Sequence, residues 1–332
     1  MSKDYRLPEN RAEYFTALYK MNLEYGVMPG LVYLYMPKLA EHFGWDTEQK
    51  LWFAFLNGNT QHPITSLRLF QQCPELPAAP GETQKLVDFF NGNWDTLSFD
   101  TDRRYGKRDF PKALESYIRM VDNYGSQENL LTGEFSELWD RVANGYYSFG
   151  RLATFSYLEY VKIMGAGAAC DNLFLDDKSG SKSHRNGLFF LLGYDDLVWD
   201  KRQPNSHDGS YDLKKVAPWL TTKANEYLRG CGIDHPDIGY FTFESQCCAF
   251  KNGFFGRRYP GVYSDMALDR IKWYDDRGFL DLTKVFKDIR AGYLPEWLRE
   301  ECEISPVDRK VKAFRFKNTG TPFRAENFME ET

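Results

Sequence analysis

The chain has 332 residues, with 42 Lys and Arg against 47 Asp and Glu, a net charge of −5. Aromatic residues make up 17% and charged residues 27%, a balance that excludes the low-hydrophobicity disordered class and supplies a core without disulfides or metal. The longest uncharged run, Leu51 to Leu67, is broken by Asn57, Asn59, Gln61 and His62, so no stretch reads as a membrane span.

The N-terminus carries Lys3, Asp4, Arg6 and Glu9 where a signal peptide needs an apolar centre, which predicts a soluble cytoplasmic protein. The six cysteines, at 73, 170, 231, 247, 248 and 302, form no C-x-x-C pair, and the five histidines form no H-E-x-x-H. Reduced thiols and no metal site are therefore expected.

In chain order, Asp46-Thr47-Glu48-Gln49 reads as a capping box opening a helix through Leu51, Trp52, Phe55 and Leu56 that stops at Asn57-Gly58. Pro63 is placed to open the next helix, and Pro111 another that Gly125 closes. Helical spacing continues over 149–164, 213–228, 239–250 and 265–274, whereas 74–81 and 200–210 read as loops. Period-two alternation occurs at Lys310–Lys317, which predicts a short strand. The expectation is a mainly α fold, a compact multi-helix domain over 1–300 with lobes near 1–125 and 126–300. A basic-aromatic tail with the short β segment follows over 301–332.

Charge is uneven. Residues 309–324 hold Arg309, Lys310, Lys312, Arg315, Lys317 and Arg324 without an acid, leaving −11 elsewhere, and Arg103, Arg104, Lys107 and Arg108 form a second cluster. Such patches suit a polyanionic partner, with Arg315 and Lys317 as candidate DNA contacts, although a solvated tail has the same composition.

Three segments carry chemistry. Asp176 to Gly187 strings Ser181, Lys182, Ser183, His184, Arg185 and Asn186 before the apolar run 188–192, reading as a loop whose amides and cations would hold phosphate oxygens at a helix start. The same composition also suits a capped surface turn. Asn57 to His62 offers paired amide donors and acceptors, in Asn59 and Gln61, for a pyrimidine edge. Helix capping explains Asn57 and Asn59 but does not require Gln61 and His62. In the third segment Glu244, Cys247, Cys248 and Lys251 fall on neighbouring helical faces. Glu244 is a candidate base, and a cysteine among phenylalanines is more often core than nucleophile. Arg258, and Arg151 after Gly150, are candidate carboxylate binders.

Together these segments resemble the α-glutamyl/putrescinyl thymine pyrophosphorylases, the amino acid:DNA transferases of bacteriophages that hypermodify thymine. The resemblance rests on Trp52–Ser66, Phe149-Gly150-Arg151, Asp171–Leu188 with its S-G-S-K-S-H-R-N-G run, Glu244–Lys251 and Arg258–Asp265, and spans residues 10–280. It implies a helical enzyme distantly akin to DNA glycosylases. Its substrate would be DNA carrying phosphorylated 5-hydroxymethyluracil, made by a phage 5-hydroxymethyluracil DNA kinase. The enzyme would displace pyrophosphate with the amine of an amino acid or polyamine, in the cytoplasm of an infected bacterium.

On that reading Ser181, Lys182, Ser183, Arg185 and Asn186 hold pyrophosphate, with His184 beside them as a catalytic group. Glu244 or Asp177 takes the amine's proton, Asn59 and Gln61 read the base, and Arg151 or Arg258 binds an amino-acid carboxylate. No cofactor is required, and a divalent ion such as magnesium on pyrophosphate would fall to Asp176 or Asp177. A base-excising glycosylase using Lys182 or Lys251, and a non-catalytic DNA-binding protein, are the rival readings.

Overall fold

The computed structural model describes residues 3–99, 109–178, 180–200, 209–299 and 306–329. The basic cluster at 103–108, most of the loop expected at 200–210, and Cys302 lie outside the described residues. The helices run α1 (Pro8–Glu24), α2 (Val32–Phe43), α3 (Thr47–Thr60), α4 (Pro63–Gln72), α5 (Pro80–Gly92) and α6 (Asp109–Tyr124). They continue α7 (Gln127–Leu130), α8 (Phe135–Gly145), α9 (Arg151–Ile163), α10 (Lys182–Leu191), α11 (Leu213–Gly230) and α12 (Tyr240–Phe254). The series closes with α13 (Val262–Asp275), α14 (Leu280–Tyr293), α15 (Glu296–Arg299), α16 (Pro306–Thr319) and α17 (Ala325–Phe328). Among the described residues there is no strand, and none of the helices is long and apolar enough to cross a membrane.

Local signals explain the helix starts. The Asp46 carboxylate accepts the Gln49 N–H while Gln49 returns to the Asp46 backbone, the reciprocal box expected from sequence. Pro63 opens α4, where its missing N–H costs nothing. Gly125, at φ +81°, follows α6.

Three readings are corrected. Helix α3 does not stop at Asn57-Gly58 but runs to Thr60, because those residues are buried and the chain turns only at Gln61, which adopts a left-handed φ of 49°. The S-G-S-K-S-H-R-N-G run is not a loop before a helix at 188, since α10 already begins at Lys182. The expected strand at 310–317 is part of helix α16. There Ala313 and Phe316, three apart, are both buried, whereas Phe314 is exposed, so the helical period and not the alternation selects the face. A lone strand would also leave its backbone groups without a ladder.

The chain divides into two compact units, each assembled from separated stretches. The first comprises 1–29, 172–265 and 295–332, the second 30–171 and 266–294. The second is built around an aromatic cluster in which Phe55 of α3 stacks on Tyr117 of α6 at 3.8 Å between centroids, with Tyr146, Phe149 and Tyr157 edge-on or parallel around it. Gly58 lets α3 lie close to α9, since a Cβ there would stand 3.2 Å from the Tyr157 ring.

In the first unit Phe15 of α1 packs edge-to-face on Phe250 of α12, 5.0 Å between centroids, and Phe316 of α16 closes on Phe254 at 5.0 Å. Each such ring contributes about 1.5–3 kcal/mol of apolar burial. Helices α10 and α12 touch at Gly187, where a Cβ would fall 2.2 Å from the Cys247 carbonyl oxygen. That approach aligns the chemistry-bearing residues of both helices.

Candidate active site in the first unit

Helix α10 presents Ser183 and His184 toward the face of α12 that carries Glu244, Cys248 and Lys251, residues spaced four and then three apart on one side of that helix. His184 is 1% exposed, with Nε2 2.9 Å from the Leu173 carbonyl and Nδ1 3.0 Å from Glu244 Oε1. A carbonyl oxygen only accepts, so Nε2 carries a proton. Nδ1 then faces a carboxylate oxygen. The line between these atoms departs from hydrogen-bond alignment, so the contact is a close approach and not a well-formed hydrogen bond. Glu244 Oε1 also stands 3.7 Å from Cys248 Sγ.

Lys251 is buried, and its ammonium donates to Ser183 Oγ at 2.7 Å. Burial, with Glu244 adding, pushes the Cys248 thiol up to about 12, and burial holds Cys247 well above the ordinary thiol value. Both sulfurs are thiols at neutral pH and poor nucleophiles. Near them is Tyr263, whose phenol burial raises, with Arg258 opposing that shift and Cys248 and Glu244 adding to it. The Arg258 guanidinium lies 5.7 Å from the Tyr263 ring centroid, donates from Nη1 to the Arg257 carbonyl at 3.1 Å, and leaves Nε without a hydrogen-bond partner. The first turn of α10 and two turns of α12 thus gather a carboxylate, an imidazole, a hydroxyl and an ammonium, with Arg258 and Tyr263 nearby.

The other phosphate-loop residues do something different from the expectation. Arg185 is 1% exposed and its guanidinium donates to the carbonyls of Leu175 and Lys178, at 2.8 and 2.9 Å, and of Asp177. It organises the 175–178 turn instead of presenting a free fork. The Ser181 hydroxyl donates to the Phe174 carbonyl, and the Asn186 amide brackets Trp199 by donating to its carbonyl at 2.6 Å and accepting its N–H at 3.1 Å. Lys182 extends over the Trp199 ring, 4.0 Å from its centroid. One oxygen of Asp177 accepts the Gly180 N–H at 2.7 Å, while Asp176 is exposed. Gln246, from the same α12 motif, is structural, held by Asn22 Nδ2 at 2.8 Å.

Asn59, Gln61 and Arg151 belong to the second unit. Asn59 is buried, with Nδ2 donating to the Phe55 carbonyl at 2.7 Å and Oδ1 without a partner. Gln61 is part-exposed at the end of α3, and Arg151 starts α9. Helix capping, the alternative that the sequence left open for Asn57 and Asn59, is carried here by His62. His62 caps α4, its Nδ1 accepting the Thr65 N–H at 3.3 Å, and the Asn57 Oδ1 accepts the Ser66 hydroxyl at 3.0 Å. Arg315 and Lys317 are exposed on α16, whereas Arg324 turns inward to a buried pair with Asp265 at 3.2 Å.

His184, Glu244 and Cys248 bring nitrogen, oxygen and sulfur donors within 4.8 Å of one another, a set that matches a zinc-type ion in its chemistry. The neighbouring Lys251 ammonium, 2.7 Å from Ser183 Oγ, adds positive charge beside that set. Sequence reasoning passed over Tyr263 and the contact of Lys251 with Ser183. The i+3 spacing of Lys251 from Cys248 puts it on the reactive face, but only the packing of α10 on α12 supplies its partner.

The model of the amino acid:DNA transferase family matches residues 32–259, and the chain belongs to that family. It is therefore a transferase, of the class that joins amino acids to DNA. It is also 27% identical over 308 residues to a protein of Salmonella phage ViI named serinyltransferase, covering 86% of this chain and 74% of that protein.

Proposed function

We propose that this transferase displaces pyrophosphate from 5-(pyrophosphoryloxymethyl)uracil in DNA with the amine of a small amino acid, serine or glycine in type. The C–O bond to pyrophosphate breaks with its electron pair leaving on oxygen, and the amine nitrogen bonds to the methylene. The amine arrives as an ammonium and must shed a proton, which Glu244 takes in the direct route. What carries this reading is the His184–Glu244 approach at 3.0 Å, a carboxylate held for proton exchange amid cations.

The high proton affinity of both thiols supports direct displacement over a covalent cysteine route. Arg258 is the candidate for the amino-acid carboxylate, and the first turn of α10, which has no side-chain cap, offers amides with Lys182 and Ser183 to pyrophosphate. The substrate presupposes a kinase that phosphorylates 5-hydroxymethyluracil in DNA, and the reaction belongs in the cytoplasm of a phage-infected bacterium. A polyamine donor would leave Arg258 without a carboxylate to bind.

The test is mass spectrometry of nucleosides from pyrophosphorylated DNA incubated with the protein and serine, glycine, alanine or putrescine in separate reactions. An amino-acid adduct formed with stoichiometric pyrophosphate release is expected. Free base, or no product with any donor, would overturn the reading.

A further inference from the structure

We infer that Lys251 is a positioning residue for the leaving group, acting through Ser183. This rests on the pyrophosphate reading given above. An ammonium has three donors and no acceptor, so in the 2.7 Å contact Ser183 Oγ must accept from Lys251 Nζ. The single hydroxyl proton of Ser183 is then committed to donating elsewhere. Its neighbour is the Cys248 sulfur, a weak acceptor while the thiol stays protonated. A pyrophosphate oxygen gaining charge is a far stronger one, and the cation behind the hydroxyl strengthens that bond as the charge develops.

The burial pattern fits this division of labour. Ser183 is part-exposed, at the second residue of α10, whereas Lys251 is buried behind it on α12. The cation that the sequence offered for the role, Arg185, is committed to the carbonyls of the 175–178 turn. No proton transfer is required. The departing oxygen keeps the electron pair of the broken C–O bond, and the Ser183 hydroxyl, polarised by Lys251, stabilises it by hydrogen bonding.

The experiment is calorimetric titration of the full chain with inorganic pyrophosphate, alongside kcat and KM on pyrophosphorylated DNA, for wild type, Ser183→Ala, Lys251→Met, Lys251→Arg and the Ser183→Ala/Lys251→Met double variant. Ser183→Ala and Lys251→Met should each weaken pyrophosphate binding about 10-fold or more and lower kcat about 10²–10³-fold, with KM for DNA little changed. The double variant should be no worse than either single one, because the two residues act in series. Lys251→Arg, which keeps the charge and a donor, should recover most of the loss, a rescue that a purely structural role at this position would not produce. Additive losses, or wild-type pyrophosphate affinity in Lys251→Met, would overturn the inference while leaving the reaction assignment standing. A wild-type protein that neither binds pyrophosphate nor forms an adduct would instead remove the reaction assignment on which the inference rests.

Discussion

His184 Nδ1 lies 3.0 Å from Glu244 Oε1 while His184 Nε2 is tied to the Leu173 carbonyl at 2.9 Å. The ring cannot rotate without abandoning that carbonyl, so the imidazole presents a fixed edge to the carboxylate. Glu244→Gln keeps the volume and removes the proton acceptor, and is expected to slow transfer about 10²–10⁴-fold, the usual range for a general base. Cys247→Ser and Cys248→Ser should stay within a few-fold of wild type. Rates on pyrophosphorylated DNA check this, and a dead cysteine variant of native stability would restore the covalent route.

Arg185→Ala yields a different expectation from the one its basic sequence neighbourhood invites. The substitution strips the donors from three carbonyls of the 175–178 turn and empties a buried guanidinium site. A stability loss of about 2–5 kcal/mol is expected, since hydrogen bonds to a charged donor are each worth about 1.5–3 kcal/mol. Denaturant unfolding measures it. An Arg185→Ala protein that melts like wild type but fails to release pyrophosphate would return Arg185 to direct contact with the anion.

His62 makes folding stability depend on pH. Burial, with Arg270 adding, holds its imidazole well below the ordinary value of 6.5. Above that value the ring is neutral in both folded and unfolded chains and pH has no effect through it. Below it the unfolded chain takes up a proton that the folded chain refuses, so stability falls as pH drops, by up to about 1.4 kcal/mol per pH unit until the folded pKa is reached. His62→Asn preserves an N-cap acceptor and should flatten this dependence between pH 6.5 and 5, read from urea midpoints at each pH. An unchanged slope would mean that other groups set it.

Arg315 and Lys317 stand exposed on α16 beside Phe314, and are expected to meet DNA phosphates. Replacing both by Ala should weaken duplex binding and shallow its log–log salt slope by about 2, at about 0.9 per phosphate contact. The fold should be unaffected, because the buried face of α16 runs through Ala313 and Phe316 instead. A salt slope identical to wild type would make this end of the chain a solvated surface only.

What the sequence determined by itself was mostly local. The Asp46–Gln49 box, Pro63 at a helix start and Gly125 after a helix are set by bonds within four residues, and each is where short-range rules put it. The family was also legible, because its specific runs are contiguous. Tertiary structure decided the rest, for one physical reason: a side chain's role depends on which donors and acceptors the fold leaves unsatisfied around it. Glu244 and His184 are sixty residues apart in sequence, and the close approach of Gly187 to the Cys247 carbonyl brings their helices near enough for the two side chains to meet. Arg185 and Lys251 are both cations in reactive motifs. Three turn carbonyls claimed the first, and a serine hydroxyl at a part-exposed helix start received the second. At 310–317 alternation and helical spacing coexist in the same letters, and the buried faces of Ala313 and Phe316 chose the helix.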